Sequence, residues 1–248
     1  MENEISKIFG IRAIIEAINA GKTISKVYLQ KGLSGHLFSE LNTIIKREAI
    51  ATSYVPVEKL DRLSKYSNHQ GVVAQISPIE FVELDDLITS TLNKTTTPLF
   101  LLLDRISDVR NFGAIIRTAE CTGVDGIIIP NHGNAPISAD TIKTSAGAAF
   151  KVPICKVDHI KDAIFQFQSA EIQLVAATEK TDDLIYDIDL KVPTAIIMGS
   201  EDRGIHPSIL KLVNYKAKLP LLGEIESLNV SVACGAFLYE VTRQRLKS

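Results

Sequence analysis

The 248-residue chain is short of cysteine, of net charge and of long apolar runs, and each shortage closes off a class of function. Its three cysteines, Cys121, Cys155 and Cys234, stand far apart, with no CxxC pair and no metal-ligand spacing to the five histidines. That scatter excludes a disulfide framework and a zinc-ribbon site. The thiols read as reduced and packed, with Cys121 and Cys234 on apolar helical faces. With 27 Lys and Arg against 29 Asp and Glu the net charge is −2, so a nucleic-acid partner would have to meet a local basic surface. No stretch is apolar for the length of a membrane span, and Met1–Phe9 is acidic and polar where a signal peptide is basic and then apolar. The expected compartment is the cytosol. No GxGxxG or P-loop pattern occurs, which removes the usual signature of dinucleotide and nucleoside triphosphate sites.

What is present suits a folded protein: 46% hydrophobic and 23% charged residues, enough for a core of normal size. Residues 1–80 read as a small α/β unit. Arg12–Ala20 sets Ile14, Ile15 and Ile18 on one helical face with Gly21 as its C-terminal cap. Val27–Leu29, Thr52–Val55 and Val72–Ile76 read as strands, Leu37, Leu41, Ile44 and Ile45 mark a second helix, and Pro56 opens a third that ends near Leu63. The Thr-rich run Ser90–Pro98 has little to bury, so residues 81–97 are expected to link this unit to a second one at 98–248.

In the second unit strands and helices alternate. Leu99–Leu103 is apolar throughout, as in a parallel strand covered on both faces. Helix Phe112–Cys121, strand Gly126–Ile129, a short helix around Ser138–Thr144, strand Val152–Val157 and helix Ile160–Gln168 follow. Strands Ile172–Ala177 and Thr194–Met198, helix Pro207–Leu212, strand Tyr215–Leu219 and a long helix from about Ser231 to Leu246 complete the chain. The alternation predicts an α/β fold with a parallel sheet and helices on both faces.

Ligands of such sheets bind beyond the carboxyl ends of the strands, and three loops there carry the polar and glycine-rich sequence. The first, Asp104–Gly113, leads into a helix bearing Arg117; Asn111 stands where a helix N-cap is expected. Arg117 on its own reads equally as a surface residue or as an ion-pair partner of Asp104 or Glu120. The second, Gly199-Ser200-Glu201-Asp202-Arg203-Gly204, is bracketed by glycines that allow close backbone approach. Glu201 there could orient a hydroxyl or an arginine, or simply cap a helix. The third, Leu219–Ser231, sets Ser227 and Asn229 just ahead of the last helix, where capping and anion binding both fit.

Taken together and in this order, the three loops resemble the SpoU/TrmH-type (SPOUT) family of RNA ribose 2′-O-methyltransferases over about residues 99–245. The resemblance rests on Asn111, Gly113 and Arg117 before Thr118-Ala119-Glu120 and Gly123-Val124; on Met198-Gly199-Ser200-Glu201 with Gly204; on Ser227-Leu228-Asn229-Val230-Ser231-Val232; and on Lys143-Thr144-Ser145-Ala146-Gly147-Ala148. Val109-Arg110 departs from the pattern, since relatives often have Pro-His before the asparagine. Phe9-Gly10 and His69-Gln70-Gly71-Val72-Val73-Ala74 look like the RNA-binding domain of RlmB-type members, which methylate a guanosine in 23S rRNA.

The resemblance implies S-adenosylmethionine as cofactor, held in a C-terminal trefoil knot by backbone groups at Gly199, Leu219 and Leu228, with no metal. It implies an L30e-like RNA-binding domain at 1–80 and a homodimer. It assigns activation of the ribose hydroxyl to Arg117, with Glu201 holding that arginine, Ser227 and Asn229 positioning substrate and Asn111 fixing the first loop. The expected reaction is 2′-O-methylation of a guanosine in 23S rRNA. A tRNA methyltransferase with the same core, or a catalytically silent RNA-binding ribosome-assembly factor, stands as the alternative.

Overall fold

A computed structural model describes residues 7–225 and 227–246; of the acidic segment Met1–Phe9 it therefore covers only Lys7–Phe9. The chain divides into two compact units. One holds the described residues up to Glu80 with Pro136–Ala139, the other Phe81–Ala135 and the described residues from Asp140 onward.

In the first unit β1 (Lys7–Phe9), α1 (Ile11–Asn19), β2 (Ile24–Gln30), α2 (His36–Arg47), β3 (Thr52–Val55), α3 (Val57–Leu63) and β4 (Val72–Ile76) follow in order. The strands lie β1-β4-β2-β3, with only β2 and β3 parallel. Alternation along β2 sends Val27 and Leu29 to one face, where Ile14 and Ile15 of α1 and Leu41, Ile44 and Ile45 of α2 bury them. Tyr28 points to the other, against Leu60 and Leu63 of α3. Gly21, at φ +77, ends α1 as the sequence predicts, with Lys22 N donating to Ala17 O at 3.0 Å. β1 is an element the sequence reading lacks: three residues are too few to show a period.

The second unit opens with α4 (Leu84–Leu92), which corrects the expected linker at 81–97. Leu84, Leu87 and Ile88, spaced i, i+3, i+4, are buried in one core with Ala163, Ile164 and Phe167. Thr89, Ser90 and Thr91 disguise that stripe in the sequence, and only the residues after Leu92 serve as a connector. There follow β5 (Leu99–Asp104), α5 (Val109–Cys121), β6 (Gly126–Pro130), α6 (Ala139–Thr144), β7 (Ile154–Val157), α7 (Ile160–Ser169), β8 (Gln173–Ala177), β9 (Thr194–Gly199), α8 (Pro207–Leu210), β10 (Tyr215–Ala217) and α9 (Val230–Leu246).

All six strands are parallel, in the order β10-β8-β9-β5-β6-β7. Leu99–Leu103 at the centre are at most 2% exposed, as their unbroken apolar run requires. The chain runs outward from β5 through β6 to β7 and then crosses to the other side, so the order reverses between β5 and β9. That is the position where open α/β sheets form their ligand crevice. Asp104 and Gly199 are register partners at the carboxyl ends of these two strands, which sets the first and second loops side by side.

The last helix, α9, packs against α5 and β9. Cys234, Phe237, Leu238 and Val241 are buried, and its end is clipped to backbone carbonyls. Arg245 donates to Leu190 O at 3.0 Å, Thr97 O at 2.6 Å, Val192 O at 3.0 Å and Pro98 O at 3.3 Å. Of the thiols, Cys155 and Cys234 are buried as expected; Cys121, at the C-terminal end of α5, is exposed and corrects the reading of it as packed. No helix among the described residues is long and apolar enough to cross a membrane.

Candidate active site

The site is built where the crevice between β5 and β9 meets the start of α9. The sequence places Asn111 at a helix N-cap; the structure gives that role to Asp108, whose side chain accepts from Asn111 N at 2.8 Å. Freed from capping, Asn111 stands in the first turn of α5 and directs its side-chain amide across the crevice.

Asn229 is a cap, as expected. Its Oδ1 accepts from Ser231 N at 3.0 Å and Val232 N at 3.4 Å, satisfying two orphan donors of α9, and from Ser231 Oγ at 2.6 Å. With the oxygen so engaged, the amide nitrogen must point away, and Nδ2 donates to Asn111 Oδ1 at 3.0 Å and Glu201 Oε1 at 3.4 Å. Asn111 Nδ2 in turn donates to Glu201 Oε2 at 3.1 Å. Each amide orientation is thus fixed by the next, and the three loops close into one hydrogen-bonded triangle. Glu201 can accept on both oxygens because it is acceptor-only when ionised.

Within one chain Glu201 accepts from Asn111 and Asn229 and not from Arg117, so the expected pairing is not formed there. Nor does Arg117 pair with Asp104 or Glu120: Asp104 takes Arg105 Nε at 3.0 Å and His206 N at 2.9 Å, while Glu120 takes Lys151 Nζ at 3.0 Å. Arg117 is exposed and forms no hydrogen bond or ion pair among the described residues. Six residues beyond Asn111, it lies about 9 Å along the helix axis and about 120° around it.

Beside the triangle a cavity of about 380 Å³ opens at the carboxyl ends of β8, β9 and β10, within the range of small-molecule sites. Gly199, Glu201, Leu219, Ser227 and Leu228 all line it; Glu226, within the third loop, lies outside the described residues. Met198, Ile205, Leu228 and Phe237 give the lining apolar surface, and Thr178, Ser200 and Ser227 give it polar groups. The contribution of Thr178-Glu179-Lys180 escaped the sequence reading, although a loop following a strand's carboxyl end was the available signal.

Glycine is required at two points. A Cβ on Gly199 would overlap the backbone of Gly204 and Ile205, and Ser200 and Gly204 bridge directly beyond it. A Cβ on Gly113 would overlap Thr144 Oγ1, so the stretch Lys143–Ala148 packs against the helix that carries Asn111 and Arg117. Among the described residues no group of three or more potential metal ligands is found.

Residues 98–239 match the model of the SpoU rRNA Methylase family, and residues 7–82 match that described as RNA 2′-O ribose methyltransferase substrate binding. The chain belongs to the SpoU rRNA Methylase family. It is 31% identical over 245 residues to YacO of Bacillus subtilis (strain 168), by name a TrmH family tRNA/rRNA methyltransferase, covering 99% of this chain and 98% of the relative. Among solved structures it is similar to the SpoU methyltransferase AviRb from Streptomyces viridochromogenes, there in complex with AdoMet. The TM-score is 0.63 at 24% identity, over 98% of this chain and 91% of that one. It is also similar to the A. aeolicus TrmH/SpoU tRNA modifying enzyme, with TM-score 0.57 and 30% identity over 66% of this chain and 83% of that one.

Proposed function

We propose that the protein is an S-adenosylmethionine-dependent RNA ribose 2′-O-methyltransferase whose substrate is a guanosine in 23S rRNA, in the manner of RlmB-type members of its family. The observation that carries this reading is the triangle Asn111–Glu201–Asn229, whose Glu201 corner lines a cavity shared by the loops that follow β9 and β10. The cavity fits the cofactor in character as well as size. Leu228 and Phe237 would cover an adenine ring, while Ser200 and Ser227 offer polar partners and the backbone at Gly199, Leu219 and Leu228 would hold the rest. A knotted path of the C-terminal segment is part of this reading, as is an L30e-like RNA-binding role for residues 1–80.

When bound, the cofactor supplies an activated methyl on a sulfonium leaving group. The chain's task is then to align a ribose hydroxyl and remove its proton. Asn111 and Asn229, locked by Glu201, form a rigid edge from which Ser227 positions the ribose. Arg117 orients and polarises the 2′-hydroxyl; a guanidinium is a poor base in water, so the substrate phosphate must help it accept the proton. Since Arg117 has no partner in its own chain among the described residues, we assign the working form to a homodimer in which one copy's Arg117 serves the other copy's cavity.

The test is transfer of labelled methyl from S-adenosylmethionine to deproteinised rRNA and tRNA, with 2′-O-methyl mapping of RNA from a deletion strain. Loss of one 23S rRNA guanosine mark is expected. A missing tRNA mark would redirect the reading to a tRNA enzyme, and absence of cofactor binding by calorimetry would favour a silent assembly factor.

A further inference from the structure

The turn joining α3 to β4 is bent beyond what a connector requires. Lys65, Tyr66 and Gln70 all have left-handed backbones, at φ +54, +62 and +52, a conformation that a residue with a Cβ disfavours. Bonds from several sides impose it. Tyr66 N donates to Asp61 O at 2.7 Å, and Ser64 Oγ bridges Asp61 O at 3.2 Å and Ser67 O at 3.1 Å. His69, 8% exposed, accepts from Gly71 N on Nδ1 at 2.9 Å and bonds Asp61 Oδ1 through Nε2 at 3.0 Å. Gln70 Oε1 accepts from Ile11 N at 3.2 Å. The His-Gln-Gly motif of the sequence is thus the brace of this turn.

What the brace displays is Tyr66, 80% exposed. Its ring is stacked on nothing among the described residues, whereas Tyr28 of the same unit has Lys26 and Lys59 over its ring at 5.4 and 5.6 Å. Arg62, in the last turn of α3, is exposed without an ion pair among the described residues, and its neighbour Asp61 is committed to His69. Strain maintained by surrounding bonds collects at ligand clamps. A bare aromatic on a braced backbone, with an exposed cation four residues away in sequence, offers what unpaired nucleotides recognise, base stacking and phosphate attraction. The adjoining residues Lys65, Ser67 and Asn68 are polar, unlike the contiguous apolar patch of a protein-docking face.

We propose that Tyr66 is a stacking platform for an unpaired base of the RNA substrate, with Arg62 facing the adjoining phosphate. This rests on the reading of the chain as an RNA methyltransferase, and the matched substrate-binding model, residues 7–82, spans the turn. A paired helix keeps its bases stacked, so the recognised element is a loop or bulge.

The chain contains no tryptophan, so Tyr66→Trp creates a single reporter at the platform. Its emission should be quenched by a hairpin with an unpaired loop and not by a blunt duplex of equal length. With rRNA as substrate, Tyr66→Ala should raise KM about 5- to 100-fold at unchanged kcat, while Tyr66→Phe stays within about twofold, since stacking needs the ring alone. Unchanged KM in Tyr66→Ala, or emission of the Tyr66→Trp variant indifferent to saturating hairpin, overturns the platform while leaving the enzymatic reading standing. A wild-type protein that methylates no RNA overturns both.

Discussion

Asn111 and Glu201, 90 residues apart in sequence, meet through a 3.1 Å hydrogen bond from Nδ2 to Oε2, and that bond joins the loop after β5 to the loop after β9. Both oxygens of Glu201 are used by amides. Glu201→Gln replaces one acceptor with a donor, so one amide of the triangle must turn away. Because the cluster is largely exposed, its loss should cost folding little, about 1 kcal/mol or less. Methyl transfer should fall about 100-fold or more if the triangle sets the ribose edge. Turnover near wild type in Glu201→Gln, measured by labelled methyl transfer, would remove the triangle from the mechanism.

Gly199→Ala should act on the fold itself. Its Cβ would enter the backbone of Gly204 and Ile205, which cannot move aside as a side-chain tip can. We expect destabilisation of about 3 kcal/mol, the upper end of overpacking costs, and a melting temperature lower by about 6–12 °C, with cofactor binding lost. Gly223→Ala, where a Cβ meets open space at an ordinary φ, is the control and should melt like wild type.

Arg117→Ala should separate chemistry from structure. The residue is exposed and unpaired among the described residues, so melting and calorimetric cofactor affinity should match wild type while methylation is abolished. Arg117→Lys should recover little, because a point charge does not reproduce the planar guanidinium. Wild-type turnover in Arg117→Ala would refute its assignment.

Burial pushes the thiols of Cys155 and Cys234 up to about 12 from an ordinary 9.0. A thiol that ionises more readily in the unfolded chain binds fewer protons there at high pH, so stability declines as pH rises. The contribution is complete below about pH 9 and is lost between about 9 and 12, with a slope approaching 1.4 kcal/mol per pH unit for each thiol. Chemical denaturation across that window reads the slope, and Cys155→Ala should reduce it. At pH 8 a thiol reagent should find only Cys121 in the native protein and all three cysteines after unfolding.

The sequence carries the second unit's sheet plainly because Leu99–Leu103 and its parallel partners are buried on both faces and read as unbroken apolar runs. It hides α4, since Thr89, Ser90 and Thr91 look like linker although Leu84, Leu87 and Ile88 make a buried stripe. For the site, residue types were legible and pairings were not. Asn111 and Asp108 are both good caps, and only the backbone decides that Asp108 takes the role. Glu201 had two partner classes open to it, and the crevice presents amides rather than the guanidinium. Such choices depend on side-chain direction at a sheet edge, which spacing along the chain does not encode.

Asn229 opens the seventeen-residue α9, and that makes the site depend on the helix behind it. The third corner of the triangle is fixed only while α9 is there to be capped and Arg245 holds its carbonyls near the start of β5. Fraying of α9 therefore takes the site apart even where the six-stranded sheet stays intact.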